Sequence, residues 1–446
     1  MAAKTTPARL GRSPLPRLRK RLRNSFLFAP TLGLVCGWLL ATGALAADTA
    51  IFELDERLAD VELSQIWFLR AAEDLGASVK TAAGTMAAGM LTFIGVVFSI
   101  TLVALQMAGQ FSPRVLRLYV QSRVTKATFA LFLATFLFTL RVQKEYAGGT
   151  GGGPAIVPYV GGMLSMGLVV ASLLVFVLYV NATIRLMRVT CVIDHVSRES
   201  RQVIADRAGL RTDAASEART RDTVTAVRTI GYQGKPGVLQ EVHAARLAEL
   251  ARGHDCVLRL LPRIGDFLAP GTPLAEVRGG VVPSPRQVLR CLDFGADRTM
   301  KQDVAFGLRQ LADIAARALS PAVNDPSTAV QALDHIHVLL ADTARRPSGD
   351  LLHTDRNGTI RLIEPVPAWT ELVDLALTEI RLYGAGSPQL TRRLAAVLDD
   401  LARNAPAEHL PCLHRHQRLL EETVRGTLLL PGDQDFALIP NRQGIG

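Results

Sequence analysis

The run AAGTMAAGMLTFIGVVFSITLVALQM, residues 82–107, decides the architecture, because no Asp, Glu, Lys, Arg or His interrupts it. A helix rises about 1.5 Å per residue, so roughly 20 apolar residues cross the hydrocarbon core of a bilayer. This run is long enough to do so. Gly84, Gly89 and Gly95 would let a neighbouring helix backbone approach closely, and Thr85, Thr92, Ser99, Thr101 and Gln106 place polar groups inside a lipid-length segment. Thr92, Ser99, Thr101 and Gln106 are therefore the candidate lining of a pore. Ordinary helix packing through small residues is the competing explanation.

Working outward, three more segments have the same character: 26–46, 127–140 and 156–180. The third span is short, but Lys126 and Arg141 flank it and can extend their charges to the two interfaces. The first span carries a second reading. A basic stretch, an apolar run and Ala44-Leu45-Ala46 also resemble a secretory signal peptide, although the apolar run is long for one.

The charges between the spans orient them. Lys4, Arg9, Arg12, Arg17, Arg19, Lys20, Arg21 and Arg23 precede the first span without an acid among them. Arg114, Arg117, Arg123 and Lys126 fill the segment between the second and third, and Arg185 and Arg188 follow the fourth. The loop after the first span carries Asp48, Glu53, Asp55, Glu56, Asp60 and Glu62 instead, and 148–153 is nearly all glycine. Excess Lys and Arg mark cytoplasmic loops, so both termini are expected in the cytoplasm. The net charge of +10 belongs to this pattern. No basic patch interleaved with aromatics points to nucleic acid. The five cysteines are scattered, with no CxxC pair, which argues against a disulfide framework or a thiolate zinc site. No ionisable group lies in a span core, which weakens a proton-coupled transporter.

Phe98 opens FSITLVALQMAGQFSPRVLR; Asp297 opens DRTMKQDVAFGLRQLADIAARALSPAVNDPSTA; Glu379 opens EIRLYG. Together these closely resemble a bacterial family of predicted membrane proteins, domain of unknown function 2254, from about Arg21 to about Arg425. The third span is shorter here than the family's usual pattern. The resemblance implies a bacterial inner-membrane location and carries no activity with it.

The rest of the chain reads as soluble. Residues 1–25 form a basic cytoplasmic N-terminus, and 181–228 a helical stalk continuing the last span. Residues 229–280, punctuated by Gly and Pro between runs of β formers, form a small β module. Within it VLRLLPRIGDFLAPGTPLAEV, 257–277, is similar to half of a biotinyl- or lipoyl-like β-sandwich, but no carrier lysine matches and no cofactor is expected. Residues 285–428 are mostly helical, with a hairpin at Asn357-Gly358, and 429–446 form a loosely ordered tail. His409, His414 and His416 near Cys412 read as a solvated helix start, because His414 and His416 face apart on a helix.

The fold class is thus a membrane bundle of four helices, then a mixed α+β cytoplasmic region with a barrel- or sandwich-like module and a helical C-terminal part. Arg298, Lys301, Asp303, Arg309, Asp313, Asn324 and Asp325 form a candidate polar cluster. A structural or subunit-interface role competes with a binding site there, and no nucleophile–base pair accompanies it. No nucleotide-binding or hydrolase motif is present. Three functions remain, in order: a homo-oligomeric channel or transport-related protein; a membrane-anchored sensor or scaffold for a cytoplasmic protein or small ligand; an enzyme acting on lipid or envelope precursors.

Overall fold

The computed structural model describes residues 28–58, 67–111, 122–147, 159–207, 227–346 and 349–443. The basic N-terminus, Arg114, Arg117, the glycine-rich loop and residues 208–226 lie outside the described residues. The chain divides after Arg188 into two compact units.

The first unit holds α1 (Phe28–Leu58), α2 (Trp67–Phe111), α3 (Arg123–Ala147) and α4 (Tyr159–Met187). Each contains a stretch long and apolar enough to cross a bilayer: Phe28–Ile51, Gly84–Gln106, Arg123–Lys144 and Val160–Arg185. The third is longer than its uncharged core of 127–140, because the helix continues through Lys126 and Arg141 to a 22-residue stretch. Long basic side chains permit this at helix ends, where the charge can reach water.

The unit encloses hydroxyls within an apolar core, and its outer face is apolar as well. Thr128, Thr135, Thr139, Ser165 and Ser172 are buried, whereas Met163, Val170, Leu174, Val177 and Leu178 are exposed along α4. The interior hydroxyls are bonded: Thr135 to Ser172 at 3.0 Å, and Thr101 to the Tyr179 hydroxyl at 2.6 Å. Water would favour the opposite arrangement; lipid accepts this one. Small residues set the closest approach. A Cβ added at Gly33 would lie 2.2 Å from the Ala130 carbonyl oxygen, and one at Gly37 2.4 Å from that of Ala134. Glycines four apart on α1 therefore seat against alanines four apart on α3.

Asp48, near the end of the apolar stretch of α1, meets the start of α4. It is 1% exposed, and its carboxylate accepts hydrogen bonds from the Val160 and Gly161 amides at 2.7 and 3.0 Å. Those amides have no partner within α4 because they open it. The end of α1 and the start of α4 consequently lie on one side of the unit, as four alternating crossings require.

The second unit begins with α5 (Val189–Asp206). The helix expected to continue the last span breaks at Arg188. From Val189 the pattern turns amphipathic, and Val192, Ile193, Val196, Val203 and Ile204 are buried.

Strands β1 (Val227–Gly231), β2 (Gly237–Val242), β3 (Val257–Leu260), β4 (Phe267–Leu268), β5 (Pro273–Arg278), β6 (Leu292–Gly295), β7 (Leu351–Thr354) and β8 (Ile360–Glu364) follow, with α6 (Ala244–Gly253) and α7 (Pro285–Leu289) between them. They make two sheets, ordered β1-β5-β3-β8-β7 and β4-β2-β6. No closed barrel forms among the described residues. The first sheet instead extends sideways, because β8 pairs in parallel with β3 at Leu258 and Leu362. Residues 229–280 therefore do not hold the sheets alone. Both sheets share one apolar core that includes Leu239, Leu247, Leu258, Leu274, Val288 and Leu362.

The hairpin between β7 and β8 turns on Asp355. Its carboxylate accepts from the Asn357 and Thr359 amides, and Gly358 takes φ +77°, a conformation that favours glycine.

The helical part comprises α8 (Val304–Ala318), α9 (Pro326–Ala344), α10 (Trp369–Gly384), α11 (Pro388–Asn404), α12 (Leu410–Thr427) and α13 (Pro431–Leu438). The last contradicts a loosely ordered tail. Arg392 lies over the Phe436 ring at 4.3 Å, and the Thr391 hydroxyl donates to the Ala437 carbonyl at 2.9 Å. Gly307 lets α8 meet α5, since a Cβ there would fall 1.9 Å from Ser200 Oγ.

Candidate functional site

Polar groups gather in two places, one in each unit. In the first, Thr85, Thr92, Ser99 and Gln106 recur every seven residues along α2 and are all exposed. Ala88 and Gly95 lie between them, also exposed. The Thr92 and Ser99 hydroxyls donate to the Ala88 and Gly95 carbonyls one turn back, so they tolerate an apolar surrounding while remaining able to accept. Thr101 departs from this file. It is 6% exposed and bonded to Tyr179 and to the Val97 carbonyl, inside the bundle.

The polar cluster read around Asp325 does not converge on one site. Asp303 caps α8, where its carboxylate accepts from the Phe306 amide at 2.9 Å and from Nε and Nη2 of the Arg298 guanidinium, each at 2.9 Å. Burial pushes the Asp303 carboxyl up, and Arg298 opposes this only in part. Lys301 turns away to Glu241 at 2.6 Å. Arg309 bonds Asp313 and Glu379, each at 2.9 Å. Asp325 begins α9, capping the Thr328 amide at 3.1 Å, and Asn324 holds φ +49° in the turn before it. Fixing helix ends and joining elements accounts for most of the seven; Asp303 also lines a cavity.

That cavity, of about 150 Å³, lies wholly in the second unit. The end of α5 supplies Ile204 and the residue after it Arg207; the turn before α8 supplies Gln302 and Asp303; Arg346 follows α9; the Pro365–Pro367 segment and Trp369 line the rest. Beside it sits a buried charge network that sequence reasoning missed. Glu364 ends β8 with its side chain 3% exposed, accepting from Arg207 Nη2 and from His353 Nε2, the latter at 3.0 Å. Burial alone would raise the Glu364 carboxyl, but the His353 hydrogen bond and the Arg207 charge together hold it below the usual range. The three residues lie on α5's end, β7 and β8, far apart in sequence, so no local spacing could reveal them.

The histidines before and within α12 also differ from a solvated helix start. His409 is 4% exposed and stacks on Trp369 with ring centroids 4.2 Å apart. His416 is 2% exposed, and its Nε2–H donates to Asp374 Oδ1 at 2.7 Å. Cys412 lies near both groups, all three ligand-type atoms being within 4.8 Å of one another. The Arg415 guanidinium already serves this acid and thiol, bonding Asp374 and approaching Cys412 Sγ at 3.8 Å. Only His414 is exposed as the sequence suggests.

A family model described as predicted membrane protein, DUF2254, matches residues 23–400. An uncharacterized protein of Mycobacterium bovis and one of Mycobacterium tuberculosis are each 29% identical over 361 residues, covering 79% of this chain and 68% of the relative. No solved structure matches. The match takes in all four apolar helices, both ion-paired acids at the cavity and Trp369, and ends before His409, Cys412 and His416.

Proposed function

The chain belongs to this family of predicted membrane proteins, and from that premise we propose a homo-oligomeric channel or transport-related protein of the bacterial inner membrane, regulated by its second unit. One observation carries the reading: the file of Thr85, Thr92, Ser99 and Gln106 faces outward from the bundle. Lipid offers such side chains nothing. A second copy does, either as a packing partner or across a hydrated path between copies. The bundle's own core is filled by Phe132, Phe138 and Tyr179, each at most 1% exposed, so a path through one copy has no room.

The second unit is assigned to the cytoplasm from the charge bias, with Arg185 in the last turn of α4 and Arg188 directly after it. Purified protein in liposomes, under voltage, tension or an osmotic gradient, tests the reading. Solute or ion flux that falls when Thr92 and Ser99 are replaced by Leu supports it; no flux under any gradient rejects it.

The cavity favours a second reading, a membrane-anchored sensor of a small ligand. A ligand that binds the chain while liposomes conduct nothing would favour the sensor over the channel.

A further inference from the structure

We propose that the cavity of the second unit binds a small amphipathic monoanion, an aromatic or short branched carboxylate, with Arg346 receiving the acid group. This assignment concerns the second unit alone and stands whether or not the first unit conducts.

The size is that of a small organic molecule. The cavity measures about 150 Å³, comparable to a protein cavity of about 150 Å³ that accepts benzene. Its walls are mostly apolar: Ile204, Ile264, Leu351, Val366, Trp369 and Leu372. Trp369 offers an aromatic side wall already steadied by His409 stacked upon it.

The polar groups at the cavity are nearly all spoken for. Arg207 is held by Glu364. Asp303 is held by Arg298 and the Phe306 amide. Gln302 bonds the Val242 amide at 2.9 Å and its carbonyl at 3.3 Å. The Thr343 hydroxyl donates to the Leu339 and Leu340 carbonyls. The Ala368 amide donates to Glu371 at 2.7 Å, and Pro365 and Pro367 have no amide hydrogen to offer.

Arg346 is the exception. Arg346 lines the cavity, and its half-buried side chain has no hydrogen-bond or ion-pair partner among the described residues. A donor on a charged group withdrawn from water without an acceptor is costly. A carboxylate answers a guanidinium through two parallel hydrogen bonds, and a neutral amide cannot. The charge balance agrees. Arg207 is paired with Glu364 and Asp303 with Arg298, which leaves the Arg346 charge for a ligand to neutralise. A dianion would overshoot it.

The test uses the full chain in phosphatidylcholine nanodiscs and isothermal titration with three probes. Benzoate has both the ring and the charge, benzamide has the ring alone, and acetate has the charge alone. Benzoate is expected to bind at least about tenfold more tightly than either other probe, the difference one charged hydrogen bond supports. Arg346→Gln should erase the preference for benzoate over benzamide. Replacing the exposed neighbour, as Arg345→Gln, should leave it intact. Equal affinity for benzoate and benzamide on the native chain, or no benzoate binding up to millimolar concentration, overturns the assignment. So does a folded Arg346→Gln protein that keeps the preference. The probe comparison on the native chain decides the matter even if that variant does not fold. Adding phosphatidylglycerol to the discs separates a free acid from a lipid headgroup: competition with benzoate by the lipid would contradict a free-acid site.

Discussion

Glu364 shows how a single side chain constrains the second unit. Its carboxylate is almost fully enclosed, so its charge is tolerated only because Arg207 and His353 bond it. Arg207→Ala leaves that charge unpaired in a place water scarcely reaches, and a loss of about 3 kcal/mol follows. Chemical denaturation followed by circular dichroism should register it as a lower midpoint with an unchanged slope. The buried histidines make a second prediction. Burial holds His337, His409 and His416 below the usual value of 6.5. Unfolding therefore takes up protons below about pH 6.5, and their contribution to stability falls as the pH drops through that range toward their folded values. Asp303, raised by burial, works in the opposite sense. The difference between native protein and His409→Phe isolates one histidine: the variant should lose less thermal stability between pH 7.5 and 5.5 than the native chain does. Equal losses would mean His409 is charged in the fold.

At the scale of elements, periodicity was the readable signal and long-range pairing was not. The apolar runs located the four membrane helices, and Ser320-Pro321 and Asp325-Pro326 marked the junction between α8 and α9 from local chemistry alone. The parallel pairing of β8 with β3 joins residues about a hundred apart and has no local signature. The same holds for Asp48, which in sequence is one acid among several after the first span. Its bonds to Val160 and Gly161 cross more than a hundred residues. Those bonds satisfy two helix-opening amides where neighbouring lipid would not. Asp48→Ala is expected to destabilise the bundle by about 1–2 kcal/mol. Asp48→Asn, which keeps one acceptor, should cost less. Titration with sodium dodecyl sulfate, monitored by helical ellipticity, orders the three proteins; identical curves would remove the capping role.

For the whole molecule, the inverted distribution of polarity is the most informative property. The first unit hides threonine and serine and displays leucine, valine and methionine, while the second buries leucine and isoleucine in the usual way. Sequence reasoning found that division because hydropathy is additive along a helix. The charged residues dense in sequence around Asp325 are dispersed by folding onto separate partners and helix ends. The cavity, by contrast, gathers residues from five separated segments. The exposed file on α2 was visible as residue types, but only the helix geometry separates Thr92, Ser99 and Gln106 from Thr101.

Accessibility of that file to water tests the account most directly. Single cysteines at Thr92, Ser99 and Leu174, introduced into a chain whose five native cysteines are replaced by serine or alanine, would be treated in intact membranes with a small charged methanethiosulfonate. Rapid modification is expected at positions 92 and 99 and none at the outward, lipid-facing position 174. Protection of all three positions, or equal modification of all three, would contradict a hydrated path along α2.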